Sequence, residues 1–256
     1  MIQRAIVRSP GPNFANGLTT VDLGPPDYAL ALHQHEAYCS ALLGCGLELI
    51  RLEPDERYPD STFVEDTAVL TNRFAVLANP GAPARRGEVT GVAGVLTEFF
   101  SECHSVSSPG TLDGGDICEA GSHFFIGISR RTNETGARQL AEYLDIFGYT
   151  SSLIDIRRLT DILHLKSGIA YLGDNRLVTI NALAELNSFR DYELVRINPG
   201  DEYAANCVRV NDRVLIAKGY AAFEERLNKV GYDTIALEMS EFQKMDGGLS
   251  CLSLRF

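Results

Sequence analysis

Four segments of the sequence share one plan, in which two β-rich runs flank a short polar turn. They are AVL-TNR-FAVLA (68–78), ICEA-GSH-FFIGI (117–128), AYL-GDN-RLVTI (170–180) and CVRV-ND-RVLIA (207–217). Stretches compatible with helices lie before, between and after them, at 28–44, 88–103, 133–147, 182–190 and 220–230. A repeated unit of about 40–50 residues that combines a hairpin with a helix predicts a ring of units similar to a propeller.

The two ends of the chain supply a fifth unit. The C-terminal segment CLSLRF and the N-terminal segment QRAIVR are both β-rich. Pairing them would close the ring and remove an exposed sheet edge. An ordinary open α+β sheet is the alternative, because the spacing of the units is irregular. No linker-like segment divides the chain, so we expect a single domain over residues 1–256.

Charge and composition argue against several classes of partner. The chain has 23 basic and 34 acidic residues, a net charge of −11. This balance argues against nucleic-acid binding and would weakly attract cationic small molecules. No apolar run approaches the roughly 20 residues that span a bilayer, so no membrane partner is expected. The N-terminal segment lacks the pattern of a secretory signal, and the 6 cysteines form no CxxC pair, so we expect a cytoplasmic protein with reduced thiols.

Residues capable of acid, base or nucleophilic chemistry precede several of the hairpins. They are Asp60, Glu65 and Asp66 in PDSTFVED (59–66), Asp113 and Asp116 in TLDGGD (111–116), His164 in LHLKSG (163–168), and Asp246 and Cys251 in DGGLSC (246–251). Equivalent ends of the units of a ring meet around one axis, so these side chains are expected to converge on one pocket. Cysteine, histidine and a carboxylate are the residue types of a catalytic triad, which is recognised by its geometry rather than by the order of its residues in the chain.

Each of these residues also has a purely structural explanation. Cys251 could be a small buried hydrophobe, His164 could be a core histidine between two leucines, and Asp113 could stabilise a turn. Their shared position before the hairpins favours the functional interpretation. A metal site built on His33 and His35 is disfavoured, because side chains two residues apart on a helix diverge.

A longer series of motifs runs almost from end to end of the chain. It comprises NGLT (16–19), PDYALALHQHEAY (26–38), PDSTFVEDTAV (59–69), PGAPARRGEV (80–89), GTLDGGDI (110–117), RRTNETGARQL (130–140), HLKSG (164–168), YAANCV (203–208) and DGGLSCLSL (246–254). With these motifs the chain resembles the dimethylarginine dimethylaminohydrolases of the guanidine-modifying, or amidinotransferase, superfamily. The resemblance implies a five-bladed α/β propeller (pentein) with ββαβ-type repeats, closed by the N- and C-terminal strands. It also implies hydrolysis of Nω-methylated arginines to citrulline and dimethylamine or methylamine, without a cofactor, through a covalent S-alkylthiouronium on cysteine.

The resemblance implies a role for each matching residue. Cys251 would be the nucleophile, His164 the general acid/base, and Asp113 the carboxylate that orients the histidine. The substrate would be held by Glu65, Asp66 and Asp246 at its guanidinium, by Arg85 and Arg131 at its α-carboxylate, by Asp60 at its α-ammonium group, and by the backbone carbonyls of Leu18 and Met245. Carboxylates suit the forked donors of a guanidinium, and arginines suit a carboxylate for the same reason. The loop 11–24, rich in Gly, Pro and Asn, is the candidate lid.

Several alternatives stay open at this point. A sister hydrolase could act on arginine or citrulline, because one methyl group contributes only about 1–3 kcal/mol of discrimination. A non-catalytic module that binds cationic amino acids is disfavoured, since a binder needs no nucleophile. Zinc could inhibit by binding Cys251 and His164, although the chemistry requires no metal. The expected partner is a small molecule, and the quaternary state is open, with a homodimer as one option.

Overall fold

Fifteen β-strands form five separate three-stranded sheets in the computed structural model, which describes residues 1–256. The strands are β1 (Arg4–Arg8), β2 (Glu48–Leu52), β3 (Ala68–Leu70), β4 (Ala75–Leu77), β5 (Cys103–Ser105), β6 (Ile117–Ala120), β7 (His123–Ile128), β8 (Thr150–Asp155), β9 (Ile169–Tyr171), β10 (Arg176–Thr179), β11 (Glu193–Arg196), β12 (Val208–Val210), β13 (Arg213–Ala217), β14 (Asp233–Leu237) and β15 (Ser253–Arg255). The sheet orders are β15-β1-β2, β3-β4-β5, β6-β7-β8, β9-β10-β11 and β12-β13-β14.

Every sheet has the same ββαβ plan. Its first two strands are antiparallel, and its third strand pairs parallel with the second. A parallel pair requires a crossover connection, and a helix supplies it in each unit. The crossover helices are α1 (Tyr28–Gly44), α2 (Glu88–Phe99), α3 (Glu134–Ile146), α4 (Asn181–Ala184) and α5 (Ala221–Lys229); a further short helix, α6 (Ser240–Gln243), follows β14. All four predicted hairpins are present.

The N- and C-terminal strands close the ring as predicted. β15 pairs antiparallel with β1, so that Ala5 lies opposite Arg255 and Val7 opposite Ser253. One cavity of about 980 Å³ is lined in part by the first strand of each sheet. These strands are β3, β6, β9, β12 and β15. Five sheets arranged with their first strands around one cavity form a five-bladed α/β propeller, and the alternative of an open sheet is wrong.

Two predicted helices are shorter than the sequence pattern indicated. The stretch 88–103 is helical only to Phe99, and Cys103 begins β5, whose backbone pairs with β4. In the stretch 182–190, only the end of the four-residue helix α4, which begins at Asn181, and a separate 3-10 turn, Asn187–Phe189, are helical. Asn and Ser side chains compete with helical hydrogen bonds, which fits an early end there.

A 3-10 turn precedes the first strand of every sheet. The five turns are Val64–Thr67, Gly114–Asp116, Leu165–Ser167, Glu202–Ala205 and Ser250–Leu252. Four of the five neighbouring pairs of turns pack against one another around the ring. The repeat therefore brings the residues ahead of each hairpin to one end of the propeller, as the sequence pattern predicted. No helix in the structure combines the length and the apolarity needed to cross a bilayer.

Candidate active site

His164 and Asp113 form a hydrogen-bonded pair at the end of the ring where the 3-10 turns meet. Nε2 of His164 lies 3.1 Å from Oδ2 of Asp113, and Oδ1 of Asp113 accepts the backbone N–H of Gly81 at 2.8 Å. Asp113 is fully buried, and both residues directly precede a 3-10 turn. These contacts fix the plane of the imidazole. The other ring nitrogen, Nδ1, makes no hydrogen bond within the protein.

Three carboxylates keep His164 protonated. Burial alone would lower the pKa of His164, but the charges of Asp66, Asp116 and Asp113 outweigh it and raise that pKa to about 9. Burial would likewise raise the pKa of Asp66, but the opposing charges of His164 and Arg85 lower it to about 2. At neutral pH the site therefore holds an imidazolium next to ionised Asp66.

Cys251 lies in the Ser250–Leu252 turn, deep in the protein but with part of its surface accessible. The backbone N–H of Gly248 donates to its Sγ at 3.4 Å. Burial, reinforced by the negative charges of Glu65 and Asp66, raises the pKa of the thiol to about 12. The free protein therefore holds Cys251 as a neutral thiol, and a cation placed between Glu65 and Asp66 would favour its ionisation.

The carboxylate of Glu65 is buried and already has three partners. Its Oε1 accepts hydrogen bonds from Nζ of Lys166 at 2.5 Å and from Nη2 of Arg255 at 3.3 Å. Its Oε2 accepts a hydrogen bond from the hydroxyl of Ser250 at 2.8 Å. A carboxylate offers about four acceptor positions, so capacity for one ligand N–H remains. Lys166 lies in the turn that follows His164, and Ser250 lies in the turn that carries Cys251; sequence reasoning gave neither of them a role.

Arg85 is buried in an ion-pair cluster behind the site. Its Nη1 donates to Asp66 at 2.5 Å, its Nε and Nη2 donate to Glu88, and Nη2 also reaches the carbonyl of Phe63 at 3.1 Å. One N–H on Nη1 stays uncommitted, so the predicted contact with a substrate carboxylate stays a prediction. Sequence reasoning missed Glu88, whose buried carboxyl has a pKa raised to about 7 by burial. The i,i+3 spacing of Arg85 and Glu88 was the available signal.

Asp60 contacts the loop 11–24, and the charge of Arg131 acts on Asp60. Arg131 is half-buried, and its guanidinium makes no ion pair and no hydrogen bond in the structure. The carboxylate of Asp60 accepts the backbone N–H of Leu18 at 3.0 and 3.2 Å. Burial raises the pKa of Asp60, and the charges of Arg85 and Arg131 oppose that rise. An unpaired cation and a nearby carboxylate suit the two charges of an α-amino acid.

The segment Met245–Asp246 contacts the same loop. Met245 is buried, and its Cε would lie 3.1 Å from a Cβ placed on Gly17. Asp246 accepts both the backbone N–H and, at 3.0 Å, the hydroxyl of Thr20. In this structure its carboxylate fastens the loop, so its predicted contact with the guanidinium stays a prediction. Leu18 is 42% exposed, as a residue at the mouth of a pocket would be.

Three side chains of the site could hold a metal ion. Ligand atoms of Asp66, Asp113 and His164 all lie within 4.8 Å of one another. Cys251 does not belong to this group, so the predicted inhibitory zinc at Cys251 and His164 stays a prediction. Zinc would compete there with two protons, because the pKa values of the thiol and of the imidazolium are both raised.

The fourth unit also contributes to the site, through residues that sequence reasoning missed. Tyr203 lies in the turn Glu202–Ala205, and Asn206 follows that turn. The hydroxyl of Tyr203 donates to the carbonyl of Gly247 at 2.9 Å, and Asn206 hydrogen-bonds to Ser250. The repeat itself was the signal, because these residues precede the fourth hairpin just as Asp113 and His164 precede the second and third.

A five-bladed α/β propeller that presents cysteine, histidine and carboxylates at one end of its ring defines the class of the guanidine-modifying proteins. The chain is 42% identical over 257 residues to the N(G),N(G)-dimethylarginine dimethylaminohydrolase of Pseudomonas aeruginosa, with 100% of both chains covered. It therefore belongs to the dimethylarginine dimethylaminohydrolase family. No protein-family model matches the chain.

Solved structures of this family share the fold closely. A cysteine-to-serine variant of the Pseudomonas aeruginosa protein, complexed with citrulline, gives a TM-score of 0.97 at 42% identity, with 100% of both chains covered. A histidine-to-glycine variant of a dimethylarginine dimethylaminohydrolase, as an adduct with S-methyl-L-thiocitrulline, also gives 0.97 at 42% identity over 100% of both chains. These matches confirm the five-bladed propeller.

Proposed function

We propose that this chain hydrolyses Nω-methylated arginines, both asymmetric dimethylarginine and monomethylarginine, to citrulline and dimethylamine or methylamine. The observation that carries this proposal is the hydrogen-bonded pair of His164 and Asp113 at the end of the ring where Glu65 and Asp66 lie close to Cys251. Full-length similarity to a named dimethylargininase supports it. Residues 1–256 would act as one catalytic domain in the cytoplasm, where the six free cysteines stay reduced.

Substrate binding would follow the charges of the pocket. The guanidinium would lie against Glu65 and Asp66, which present carboxylates to its forked donors. The α-carboxylate would bind Arg131, helped by the free N–H of Arg85, and the α-ammonium group would bind Asp60. The backbone carbonyls of Leu18 and Met245 would add acceptors, and Asp246 would keep the loop over the bound ligand.

The first half-reaction would transfer the substrate carbon to sulfur. The bound cation offsets the charges that raise the pKa of Cys251, so the thiol releases its proton to solvent and the thiolate forms in the complex. Its sulfur bonds to the guanidinium carbon while His164 gives the Nδ1 proton to the departing amine. The C–N bond breaks, and a covalent S-alkylthiouronium remains on Cys251.

The second half-reaction would hydrolyse that intermediate. His164, now neutral, removes a proton from a water molecule, whose oxygen bonds to the same carbon. The C–S bond then breaks, which releases citrulline and returns the sulfur to Cys251. Asp113 would accept a hydrogen bond from Nε2 of the imidazole in both halves, which would hold the ring in one orientation and leave Nδ1 for the proton transfer.

A panel of substrates tests the proposal. The purified protein is incubated separately with asymmetric dimethylarginine, monomethylarginine, arginine and citrulline, and citrulline, ornithine and released amine are measured. We expect citrulline and the matching amine from the methylated substrates alone. Product from arginine or citrulline instead would move the protein to a sister activity. Absence of product from all four would contradict the proposal and favour the binding-module alternative.

We expect Arg131→Gln to weaken substrate binding selectively. The guanidinium of Arg131 makes no ion pair or hydrogen bond within the protein, so its loss removes a charge-assisted contact with the α-carboxylate and breaks no hydrogen bond inside the protein. Such a contact contributes about 1.5–3 kcal/mol, so KM should rise about 10- to 100-fold. Steady-state kinetics check this. Arg130→Gln is the matched control, because Arg130 is exposed and adjacent; equal KM values for the two variants would contradict the role of Arg131.

The pH profile should reveal how many protons the reacting pair holds. Below pH 9, Cys251 and His164 both carry a proton in the free protein, because their pKa values are about 12 and about 9. The reactive form, thiolate with imidazolium, has one proton fewer. Consequently kcat/KM should rise about tenfold per pH unit from neutral pH and level off near pH 9. A kcat/KM value that is constant between pH 6 and 9 would contradict this protonation scheme.

A further inference from the structure

The peptide group between Gly247 and Gly248 has both of its polar atoms engaged. Its N–H, on Gly248, donates to Sγ of Cys251 at 3.4 Å. Its carbonyl, on Gly247, accepts the hydroxyl of Tyr203 at 2.9 Å. The N–H and C=O of a trans peptide point in opposite directions. The phenol, the peptide and the sulfur therefore form one continuous row of hydrogen bonds.

Asn206 holds the same turn from its other side. Its Oδ1 accepts the backbone N–H of Ser250 at 2.9 Å, and its Nδ2 donates to the hydroxyl of Ser250 and to the carbonyl of Lys166, both at 3.1 Å. Lys166 lies in the turn that directly follows His164. Asn206 thus links the turn that carries Cys251 to the turn that directly follows His164.

Gly248 fits against Asn206 only because it has no side chain. A Cβ at this position would lie 2.5 Å from both Cγ and Oδ1 of Asn206. The backbone just before Cys251 is therefore packed directly onto the side-chain amide of Asn206. The segment Gly247–Leu252, called the nucleophile turn below, has little freedom to shift. Two residues of the fourth unit, Tyr203 and Asn206, restrain both ends of the segment Gly247–Ser250.

We propose that Tyr203 and Asn206 are positioning residues for the nucleophile. Tyr203 directs the N–H of Gly248 at the sulfur of Cys251, and Asn206 fixes the spacing between the turns of Cys251 and His164. This inference rests on the proposed nucleophilic role of Cys251. Neither side chain needs to touch the substrate, because each acts through the backbone of the nucleophile turn.

The direction of these bonds suits a sulfur that becomes negative. A backbone N–H stabilises a thiolate more than a thiol, since bonds to charged acceptors are the stronger ones. A hydrogen bond to the carbonyl of the same peptide polarises that N–H further. Burial and the nearby Cys251 raise the pKa of Tyr203 well above its usual value, so the phenol stays a donor at all working pH values.

Tyr203→Phe isolates the first contact, because it removes only the hydroxyl and keeps the packed ring. We expect kcat to fall about tenfold, the usual scale for one lost hydrogen bond, while KM stays within about twofold. Alkylation of Cys251 by iodoacetamide, followed on its own peptide by mass spectrometry, should slow by a similar factor. Tyr220→Phe is the matched control, since its ring lies 6.3 Å from that of Tyr203 and it makes no bond to the nucleophile turn.

Asn206→Asp tests the second contact with a side chain of the same shape. It keeps an acceptor for the N–H of Ser250 but removes the donors to the carbonyl of Lys166 and the hydroxyl of Ser250. We expect kcat to fall more than about tenfold with little change in KM. Asn228→Asp, on exposed helix surface, should match the parent protein.

The alkylation measurement separates this inference from the proposed function, because it needs no substrate. A protein that hydrolyses no methylated arginine can still show slower alkylation in Tyr203→Phe, which would support the positioning role alone. Unchanged alkylation together with an unchanged kcat in Tyr203→Phe would overturn the inference, whatever the substrate. A rise in KM with no change in kcat would also overturn it, since it would indicate direct substrate binding instead.

Discussion

Cys251→Ser should lose at least about four orders of magnitude in kcat for methylated arginines, since loss of a nucleophile has an effect of that order in enzymes that act through a triad. A serine hydroxyl ionises far less readily than a thiol. No base is available to help it, because the carboxylates around His164 hold its pKa at about 9 and keep it protonated. Citrulline release under saturating substrate measures the effect.

The control for this substitution is Cys103→Ser, which makes the same chemical change on the third strand of another blade. Cys103 is half-buried in β5 and makes only a weak contact to the carbonyl of Phe100. We expect it to keep the parent kcat. Cys251→Ser should still bind citrulline in calorimetry, because every proposed binding residue is intact. More than about 1% residual turnover in Cys251→Ser would defeat the assignment of the nucleophile.

Asp113→Asn should lower kcat by about 10²- to 10⁴-fold with the fold retained. Asp113 accepts two hydrogen bonds, one at each oxygen, from His164 and from the N–H of Gly81. An asparagine has a single oxygen and must lose one of them or turn a donor toward the imidazole. Loss of the correct tautomer in a comparable triad costs about 10⁴ in kcat.

The pH profile identifies the cause of that loss. Asp113 is one of the carboxylates that raise the pKa of His164, so the rise of kcat/KM should level off below pH 9 in Asp113→Asn. Asp161→Asn, an exposed substitution three residues before His164, should keep both the rate and the profile of the parent protein. An unchanged profile in Asp113→Asn, even with a lower rate, would contradict the proposed pairing with His164.

The ring was predictable from the sequence because its signals are local. Each hairpin pairs strands that are neighbours in the chain, and the polar turns between 68–78 and 207–217 mark where each one reverses. Closure by β1 and β15 followed from the need to cover two free edges. The end of α2 at Phe99 was not predictable in this way, because it depends on the pairing of β5 with β4, a tertiary contact.

The partners of the site residues were harder to predict than the residues themselves. Asp113 and His164 both precede a hairpin, and this shared position predicted that their side chains would lie close together. The i,i+3 spacing was a signal for the pairing of Arg85 with Glu88, but nothing in the sequence indicated that Thr20 would hydrogen-bond to Asp246. Such pairings join segments that are distant in the chain or buried together, and only the packed structure determines which polar groups meet.

Trapping the covalent intermediate tests the central claim most directly. His164→Gly is incubated with S-methyl-L-thiocitrulline, whose methanethiol leaves without a proton donor, and the mixture is quenched with acid and mapped by mass spectrometry. Without His164 to activate water, the thiouronium should persist. We predict a mass increase equal to the analogue less methanethiol on the peptide that contains Cys251 and on no other. An adduct on a different cysteine, or none at all, would contradict the claim that Cys251 is the nucleophile of a methylarginine hydrolase.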